Sequence, residues 1–376
     1  MRLLRREGIG VVNFMRDLGR RGLLSLLVAF VATAGLVAAA ATADACTRVT
    51  WLGPNGAVIT GRTMDWMYSF DTHLYVYPQG LAQDGAGGTN SLTWTGKHGA
   101  VLLAGASAPK GPLDLVFDGM NDQGLAGNLL WLGATDFGPA PTDNRSRLSV
   151  GGWLQYVLTS FATVNEVVAA FTDPSIYVVP FKFGPEKNVY PSTHLAVSDA
   201  GGDSAIIEYL DGKPVIHHGR QYQVMTNDPS FDEQLALGTF WELQDRAKSL
   251  PGSMQSEDRF ARASYYVGQL PQTTDNRQAV AGVFSVMRNA SVPWVPVDPT
   301  HPNLTSTYWR TVADQNSKVY YFESTLSPNI VWLDLNDVNV APGSGVRAIA
   351  VESDQSLIGN IDAKLVPAQP ITLLSS

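Results

Sequence analysis

The chain has 376 residues, of which 45% are hydrophobic and 16% charged, and its formal net charge is −8. This composition can fill a sizeable apolar core and argues against an intrinsically disordered protein. The acidic balance disfavours nucleic acid and anionic membrane surfaces as partners, so we expect no nucleic-acid binding.

The first 45 residues have the pattern of an export signal. An arginine-rich start precedes an uncharged apolar run, and Ala43-Asp44-Ala45 fits the small-x-small rule for cleavage. A membrane-spanning helix is the alternative, but the alanine-rich end and the cleavage triplet favour removal. We predict a cleaved signal peptide over 1–45, a single mature domain over 46–376, a periplasmic or secreted location and no stable membrane insertion after cleavage. Arg20-Arg21 leaves the general and the twin-arginine export routes both open.

Cys46 is the only cysteine, and it directly follows the cleavage triplet. A single cysteine cannot form an internal disulfide, so it is a reactive thiol, a lipid attachment point or an intermolecular bridge. A lipoprotein signal usually has leucine or a similar residue three positions before its cysteine, where this chain has Ala43, followed by the acidic Asp44. An exported lipoprotein or binding module anchored at Cys46 is the non-enzymatic alternative.

The mature region alternates strand-like and helix-like blocks. CTRVTWL and AVITGRTMDW flank Gly53-Pro54-Asn55-Gly56, which predicts a β-hairpin. Further strand patterns are THLYVYP, SLTWTGKHGAVLLAG, a meander from THLAVSD to YQVMTN, and the closing runs YWRTVAD, KVYYFEST and NIVWLDLND. Helices are predicted over about 149–172, with a capping box from Thr163 to Glu166, and over about 231–245, 257–270 and 275–288. Adjacent strands with helices between the runs predict an α+β fold of packed antiparallel sheets covered by helices.

The predicted hairpin brings charged residues to Cys46. A two-residue turn at Pro54-Asn55 pairs Cys46 with Thr63, whereas a turn at Asn55-Gly56 pairs it with Asp65. In both registers the thiol lies within about 5 Å of the strand that carries Arg62 and Asp65.

Cleavage before Cys46 would give this residue a free α-amine, whose ordinary pKa is about 7.7–8.0. Such an amine can take the thiol proton without a histidine. Asp65 would hold the amine, and Arg62 would favour the thiolate. Without an N-terminal cysteine, Arg62 and Asp65 would be read as an ordinary surface ion pair.

The stretch CTRVTWLGPNGAVITGRTMDW resembles the start of the choloylglycine hydrolase family, which contains penicillin V acylases and conjugated bile acid hydrolases. The resemblance implies an N-terminal-nucleophile (Ntn) hydrolase with a four-layer αββα sandwich of two antiparallel sheets. It also implies cleavage of linear amides through a thioester acyl-enzyme, and a homotetramer.

The same resemblance implies a set of site residues. Cys46 matches the nucleophile, and Arg62 and Asp65 match the arginine and aspartate of the first hairpin. The segments DGMNDQGLAGNLLWL, VMTNDPSFDEQ and SEDRFARASYY supply, in that order, an oxyanion-hole residue Asn128, a second oxyanion donor Asn227 and a functional arginine Arg259, with Arg262 as the alternative to Arg259.

Apolar residues follow the hairpin and Asn128, and they line an acyl pocket or belong to the core. The candidates for the pocket are Met64, Trp66, Met67 and Trp131. VIHHGRQYQVMTN and VYYFESTLSPNI resemble the Gram-negative branch of the family, which implies penicillin V or N-acyl homoserine lactones as substrates. Conjugated bile salts are the alternative.

Six histidines suggest two other chemistries. A Cys–His hydrolase would pair Cys46 with one of them, namely His73, His98, His194, His217, His218 or His301. A metal site would use His217 and His218, but adjacent strand residues point to opposite faces and chelate poorly. We therefore expect no metal and no cofactor, and a small-molecule N-acyl amide as the substrate.

Overall fold

The computed structural model describes residues 46–181, 192–244, 249–295 and 305–374. The predicted signal peptide, 1–45, lies outside these ranges. The strands are β1 Thr47–Leu52, β2 Val58–Trp66, β3 His73–Tyr77, β4 Ala82–Asp84, β5 Thr93–Thr95, β6 Ala100–Ala106, β7 Leu113–Asn121, β8 Ala126–Trp131, β9 Ser146–Ser149, β10 Ile176–Val179, β11 Thr193–Ser198, β12 Ser204–Leu210, β13 Lys213–His218, β14 Val224–Met225, β15 Ser306–Asp314, β16 Val319–Ser324, β17 Ile330–Asp334, β18 Arg347–Ala350, β19 Gly359–Asn360 and β20 Val366–Pro367. The helices with described bounds are α1 Trp153–Ser160, α2 Val164–Thr172, α3 Phe231–Glu242, α4 Ser256–Gln269 and α5 Asn276–Ala290.

Two large, mainly antiparallel sheets form the middle of the molecule. Sheet A has the strand order β14-β1-β2-β15-β16-β17-β19, and sheet B has the order β13-β12-β11-β8-β7-β6-β3-β18-β20. Helices α4 and α5 pack on β1 and β2 of sheet A, while α1 packs on β7 and β8 and α2 on β12 and β13 of sheet B. This order of layers confirms the predicted αββα sandwich.

Glycines inside strands let the helices approach the sheets closely. A Cβ at Gly61 of β2 would lie 2.6 Å from Val283 of α5. On sheet B, a Cβ at Gly127 would lie 2.5 Å from Leu154 of α1, and one at Gly119 would lie 2.8 Å from Leu158. These glycines are therefore explained by packing, since no side chain fits between strand and helix at these positions.

The helix predictions are confirmed with shifted ends. The predicted stretch 149–172 divides into α1 and α2, and the capping box between Thr163 and Glu166 begins α2. The three later helices begin at Phe231, Ser256 and Asn276, close to the predicted positions.

The first hairpin forms, but both predicted registers are wrong. Thr47 pairs with Thr63 and Leu52 with Val58, so five residues connect the strands instead of two. The connection contains a 3₁₀ turn over Pro54–Gly56, in which the Ala57 nitrogen donates to the Pro54 carbonyl at 3.1 Å.

This register places Cys46 opposite Met64, with Sγ and Sδ 4.0 Å apart. Because successive strand residues point to opposite faces, Arg62 and Met64 share the face of the thiol, toward sheet B. Thr63 and Asp65 point to the other face, toward the helices.

Candidate active site

The Cys46 thiol is buried, with 3% of the residue exposed. Its Sγ lies 3.6 Å from Nη2 of Arg62 and 3.7 Å from the backbone oxygen of Asp65. Burial raises the pKa of the Cys46 thiol, and the charge of Arg62 opposes this rise. The thiol therefore needs a base to become a nucleophile, and it has a cation beside it to stabilise the thiolate.

Arg62 is fixed from three sides. Its Nη2 donates to the Leu129 carbonyl at 3.1 Å, and its Nη1 forms a buried ion pair with Asp118 Oδ2 at 3.6 Å. Its guanidinium also lies 4.6 Å from the centre of the Trp309 ring, within the range of a cation–π contact. Strand β2 thus presents Arg62 to the thiol in a single orientation.

Asn128 lies behind Arg62 rather than on the pocket wall. Its Nδ2 donates to Asp118 Oδ2 at 2.9 Å. The same carboxylate accepts hydrogen bonds from Thr311 at 3.1 Å and from the Tyr320 hydroxyl at 2.6 Å. Asn128 therefore supports the counter-ion of Arg62, and this geometry gives no support to its predicted role in the oxyanion hole.

Asn227 contacts the backbone nitrogen of Cys46. Its Oδ1 accepts from this nitrogen at 2.8 Å and from Nη2 of Arg259 at 2.9 Å, while its Nδ2 donates to the Trp131 carbonyl at 2.7 Å. In the uncut chain the nitrogen belongs to the peptide bond with Ala45, and cleavage there would turn it into an α-amine. The predicted base would then already have a hydrogen-bond partner.

Arg259, and not Arg262, reaches the nucleophile. From α4 its Nη1 donates to the Cys46 carbonyl at 2.5 Å and to Thr47 Oγ1 at 2.7 Å. Arg262 instead donates to the carbonyls of Pro251 and Ser253. Of the two candidate arginines, only Arg259 is therefore in a position to fix Cys46 and Thr47.

Asp65 lies on the helix-facing side of β2, where it accepts hydrogen bonds from Thr63 at 2.9 Å and from Thr307. Burial raises the pKa of Asp65 to about 6, and the charge of Arg259 is the main opposing influence. Arg62 and Asp65 are thus not a surface ion pair. They approach Cys46 from opposite faces of the sheet.

An apolar pocket with about 450 Å³ of empty space, part of it open to solvent, lies beside the thiol. It is lined by Cys46, Arg62, Met64, Trp66, Phe70, Leu115, Phe117, Leu129, Leu130, Trp131 and Thr193. Three of the four predicted pocket residues lie in this wall, whereas Met67 is half-buried against the core. Phe70, Leu129 and Leu130 come from the apolar stretches that follow the hairpin and Asn128. Sequence reasoning missed Leu115, Phe117 and Thr193, which carry no recognisable signal.

The histidines within the described ranges have partners other than the thiol. His194 is buried between Glu208 at 3.0 Å and the Thr226 carbonyl at 2.9 Å. His217 pairs with Asp232, and His218 with Asp203. His73 and His98 pair with Asp71 and Asp122. His301 lies outside the described residues.

The described residues offer neither a cluster of metal ligands nor a membrane-spanning helix. They contain no group of three or more His, Cys, Asp or Glu side chains arranged to hold a metal ion. Among them there is also no helix with the length and apolar character needed to cross a bilayer.

A cysteine whose sulfur faces a cation and whose nitrogen is held by an amide, in an αββα sandwich, defines the class of N-terminal-nucleophile amidases. The family model for "linear amide C-N hydrolases, choloylglycine hydrolase family" matches residues 46–348. The chain belongs to this family.

Individual relatives agree with this assignment. The chain is 41% identical to penicillin V acylase of Pectobacterium atrosepticum over 353 residues, which is 89% of this chain and 93% of that protein. It is also 41% identical to penicillin V acylase from Agrobacterium tumefaciens, whose structure matches with a TM-score of 0.79 over 88% of this chain and 100% of that one. Identity to the bile salt hydrolase/transferase of Bifidobacterium longum is 26% over 269 residues, 64% of this chain and 80% of that protein.

Membership of this hydrolase family contradicts the non-enzymatic alternative of a binding module, and the burial of the thiol argues against a lipid on Cys46. A lipid on Sγ would have to fit between the sheets, where Arg62 and Met64 already contact the sulfur.

Proposed function

We propose that residues 1–45 are removed during export and that the mature domain, 46–376, hydrolyses N-acyl amides in the periplasm or outside the cell. The observation that carries this proposal is that both the sulfur and the nitrogen of Cys46 have a positioned polar neighbour. Its sulfur lies 3.6 Å from Arg62 and its nitrogen 2.8 Å from Asn227 Oδ1, at the edge of an apolar pocket. The family match begins at the same residue, which supports cleavage at this point.

The reaction then runs in two halves. The α-amine of Cys46 takes the thiol proton, and the thiolate, stabilised by Arg62, attacks the amide carbonyl carbon. The amine product leaves with a proton returned by the α-ammonium group, and a thioester remains on Sγ. Water, deprotonated by the same α-amine, attacks the thioester and releases the acid and the free thiol.

The oxyanion of each half-reaction needs hydrogen-bond donors. An amide nitrogen carries two hydrogens, and Asn227 Nδ2 gives one of them to the Trp131 carbonyl. We assign the second hydrogen to the oxyanion, because Asn227 already borders the nucleophile.

The pocket wall supports an aryl or alkyl acyl group as the substrate's acid part. Trp66 and Trp131 lie next to each other in the wall, with ring centres 5.5 Å apart. Together with the greater identity to penicillin V acylases, this favours the phenoxyacetyl amide of penicillin V or an N-acyl homoserine lactone over conjugated bile salts.

A homotetramer completes the proposal, as the family resemblance implies. One surface that supports self-association is the apolar side of α3, where Leu237 and Phe240 are 44% and 56% exposed and Leu243 at the helix end is 81% exposed. Light scattering of the purified protein measures the assembly directly.

The test of the function begins with the intact mass of the exported protein, isolated without reducing agent. We expect the mass of residues 46–376 with an unmodified thiol. Release of amine is then measured from penicillin V, an N-acyl homoserine lactone and a glycine-conjugated bile acid, with Cys46→Ala as the control. A retained leader, or equal rates for wild type and Cys46→Ala, would overturn the mechanism. Bile acid turnover above that of the other two would replace the substrate assignment.

A further inference from the structure

Strand β7 contains an irregularity beside the active site. In its pairing with β6, Leu103 faces Asp118 and Ala104 faces Val116, so Phe117 is the extra residue of a β-bulge. Adjacent residues of a regular strand point to opposite faces, but a bulge re-aims the side chain that it adds. Here Asp118 reaches Arg62 and the neighbouring Phe117 lines the pocket, so both serve the same site.

Gly105, on the neighbouring strand close to the bulge, makes room for the Phe117 ring. A Cβ at Gly105 of β6 would lie 2.6 Å from Cε2 of Phe117 and 2.7 Å from Cβ of Phe70. Any side chain at residue 105 would therefore displace one of the two aromatic residues. On the side of Gly105, the Phe117 ring therefore already lies against the backbone of β6.

Phe117 also belongs to a continuous aromatic wall. Its ring centre lies 4.7 Å from that of Phe70, and the Phe70 ring lies 5.8 Å from that of Trp66. These spacings are typical of favourable tilted aromatic pairs. A flat aryl group that enters the pocket can extend this array.

The segment that carries Phe70 is itself held in place. The Phe70 carbonyl accepts a hydrogen bond from Ala106 at 2.7 Å. The buried carboxylate of Glu352 accepts from Ser69 Oγ at 2.5 Å and from the Thr72 nitrogen at 2.8 Å. The aromatic residue against which Phe117 packs is therefore itself positioned by hydrogen bonds of its segment.

We infer that Phe117, seated on Gly105 and against Phe70, selects compact aryl acyl groups over long alkyl chains. The physical reason is that the Phe117 ring, held between the β6 backbone and Phe70, occupies space that a long chain would need, whereas an aryl ring packs against it. This inference rests on the proposed amide hydrolysis. It chooses between aryl and alkyl acyl groups, which the proposed function does not separate.

The experiment compares two amides of one amine, N-phenoxyacetyl and N-dodecanoyl homoserine lactone. The readout is the ratio of kcat/KM for the dodecanoyl amide to kcat/KM for the phenoxyacetyl amide. We expect the wild type to prefer the phenoxyacetyl amide. Phe117→Leu should raise the ratio about tenfold or more, the scale on which pocket shape discriminates substrates. Phe117→Met, whose unbranched and flexible side chain adapts to irregular space, is the second variant if Phe117→Leu does not fold.

Phe171→Leu is the matched control, because Phe171 is buried in α2 and does not line the pocket. It should leave the ratio unchanged. A wild type that prefers the dodecanoyl amide, or a ratio unchanged in both Phe117 variants, would overturn the inference while amide hydrolysis stands. A wild type inactive on both amides would remove the proposed function, and the inference with it.

Discussion

Asn227 Oδ1 accepts a hydrogen bond from the Cys46 backbone nitrogen at 2.8 Å. The same oxygen accepts from Arg259 at 2.9 Å. The resemblance assigned Asn227 to the oxyanion hole through its amide nitrogen. The structure adds that its oxygen contacts the nitrogen that cleavage before Cys46 would turn into the proposed base. One side chain would then both position the base and border the oxyanion.

Replacement of Asn227 should therefore lower the rate strongly. We expect Asn227→Ala to reduce kcat by about 10²–10³, the usual effect of losing one oxyanion donor. The measurement is kcat on the preferred amide, with thermal unfolding recorded for the same sample.

Asn121→Ala is the matched control for this variant. Asn121 is a buried asparagine whose Nδ2 donates to the Leu158 and Phe161 carbonyls, so its loss should lower stability and leave the kcat of the folded enzyme unchanged. A kcat of Asn227→Ala within about threefold of wild type, well below the loss expected for one donor, would contradict the role of Asn227.

Removal of one partner of the ion pair between Arg62 and Asp118 should lower stability strongly, because both residues are buried. Asp118→Asn leaves the Arg62 charge without its counter-ion, which typically costs about 3–5 kcal/mol in the free energy of unfolding. Tyr320→Phe removes only one hydrogen bond to the same carboxylate, at 2.6 Å, and should cost about 1.5–3 kcal/mol. Urea unfolding measures both. Equal losses would mean that Arg62 does not depend on the Asp118 charge.

Much of the fold follows from local sequence signals. The capping box at Thr163 and the strand patterns predicted the helix and sheet layers, because both signals act over a few residues. The hairpin register was missed because the count of paired residues assumed a two-residue turn. The strands are connected by five residues, including a turn closed by the hydrogen bond from Ala57 to Pro54. The predicted registers are off by one position, and this error reverses which side of the sheet Arg62 and Asp65 face.

For the candidate site, too, the local part was predictable from the sequence and the part from distant segments was not. Cys46, Arg62 and Asp65 lie within one hairpin, so the sequence alone placed them together. Asn227 and Arg259 come from distant segments, and only the resemblance connected them to Cys46. The direction of Phe117 depends on a bulge in β7, which a single sequence does not reveal.

The buried Asp65 should make stability depend on pH. Its pKa in the folded protein is about 6, above the ordinary value of 3.8, so the folded state binds the proton more tightly than the unfolded state. The resulting stabilisation is fully present below the ordinary pKa and is lost as the pH rises through about 6. Asp65→Asn has no such titration.

The free energy of unfolding of wild type, relative to Asp65→Asn, should therefore increase by about 2–3 kcal/mol between pH 7 and pH 4. Urea unfolding of both proteins at several pH values in this range gives the difference. A constant difference, or one that moves in favour of Asp65→Asn toward acid pH, would show that burial does not raise this pKa.

Arg62 should control the reactivity of the thiol. Burial raises the pKa of Cys46, and Arg62, 3.6 Å from Sγ, is the main influence that lowers it. Arg62→Ala should therefore shift the midpoint of the pH dependence of alkylation by iodoacetamide to higher pH, and slow alkylation at pH 7 several-fold. Arg62→Lys keeps the charge, and its midpoint should lie between those of wild type and Arg62→Ala.

The midpoint separates the effect of charge from that of access, because a newly opened cavity changes the maximal alkylation rate but not the midpoint. Arg288→Ala, at a partly exposed arginine paired with Glu323, should leave the midpoint unchanged, and an Arg62→Ala midpoint at or below that of wild type would rule out Arg62 as the group that stabilises the thiolate.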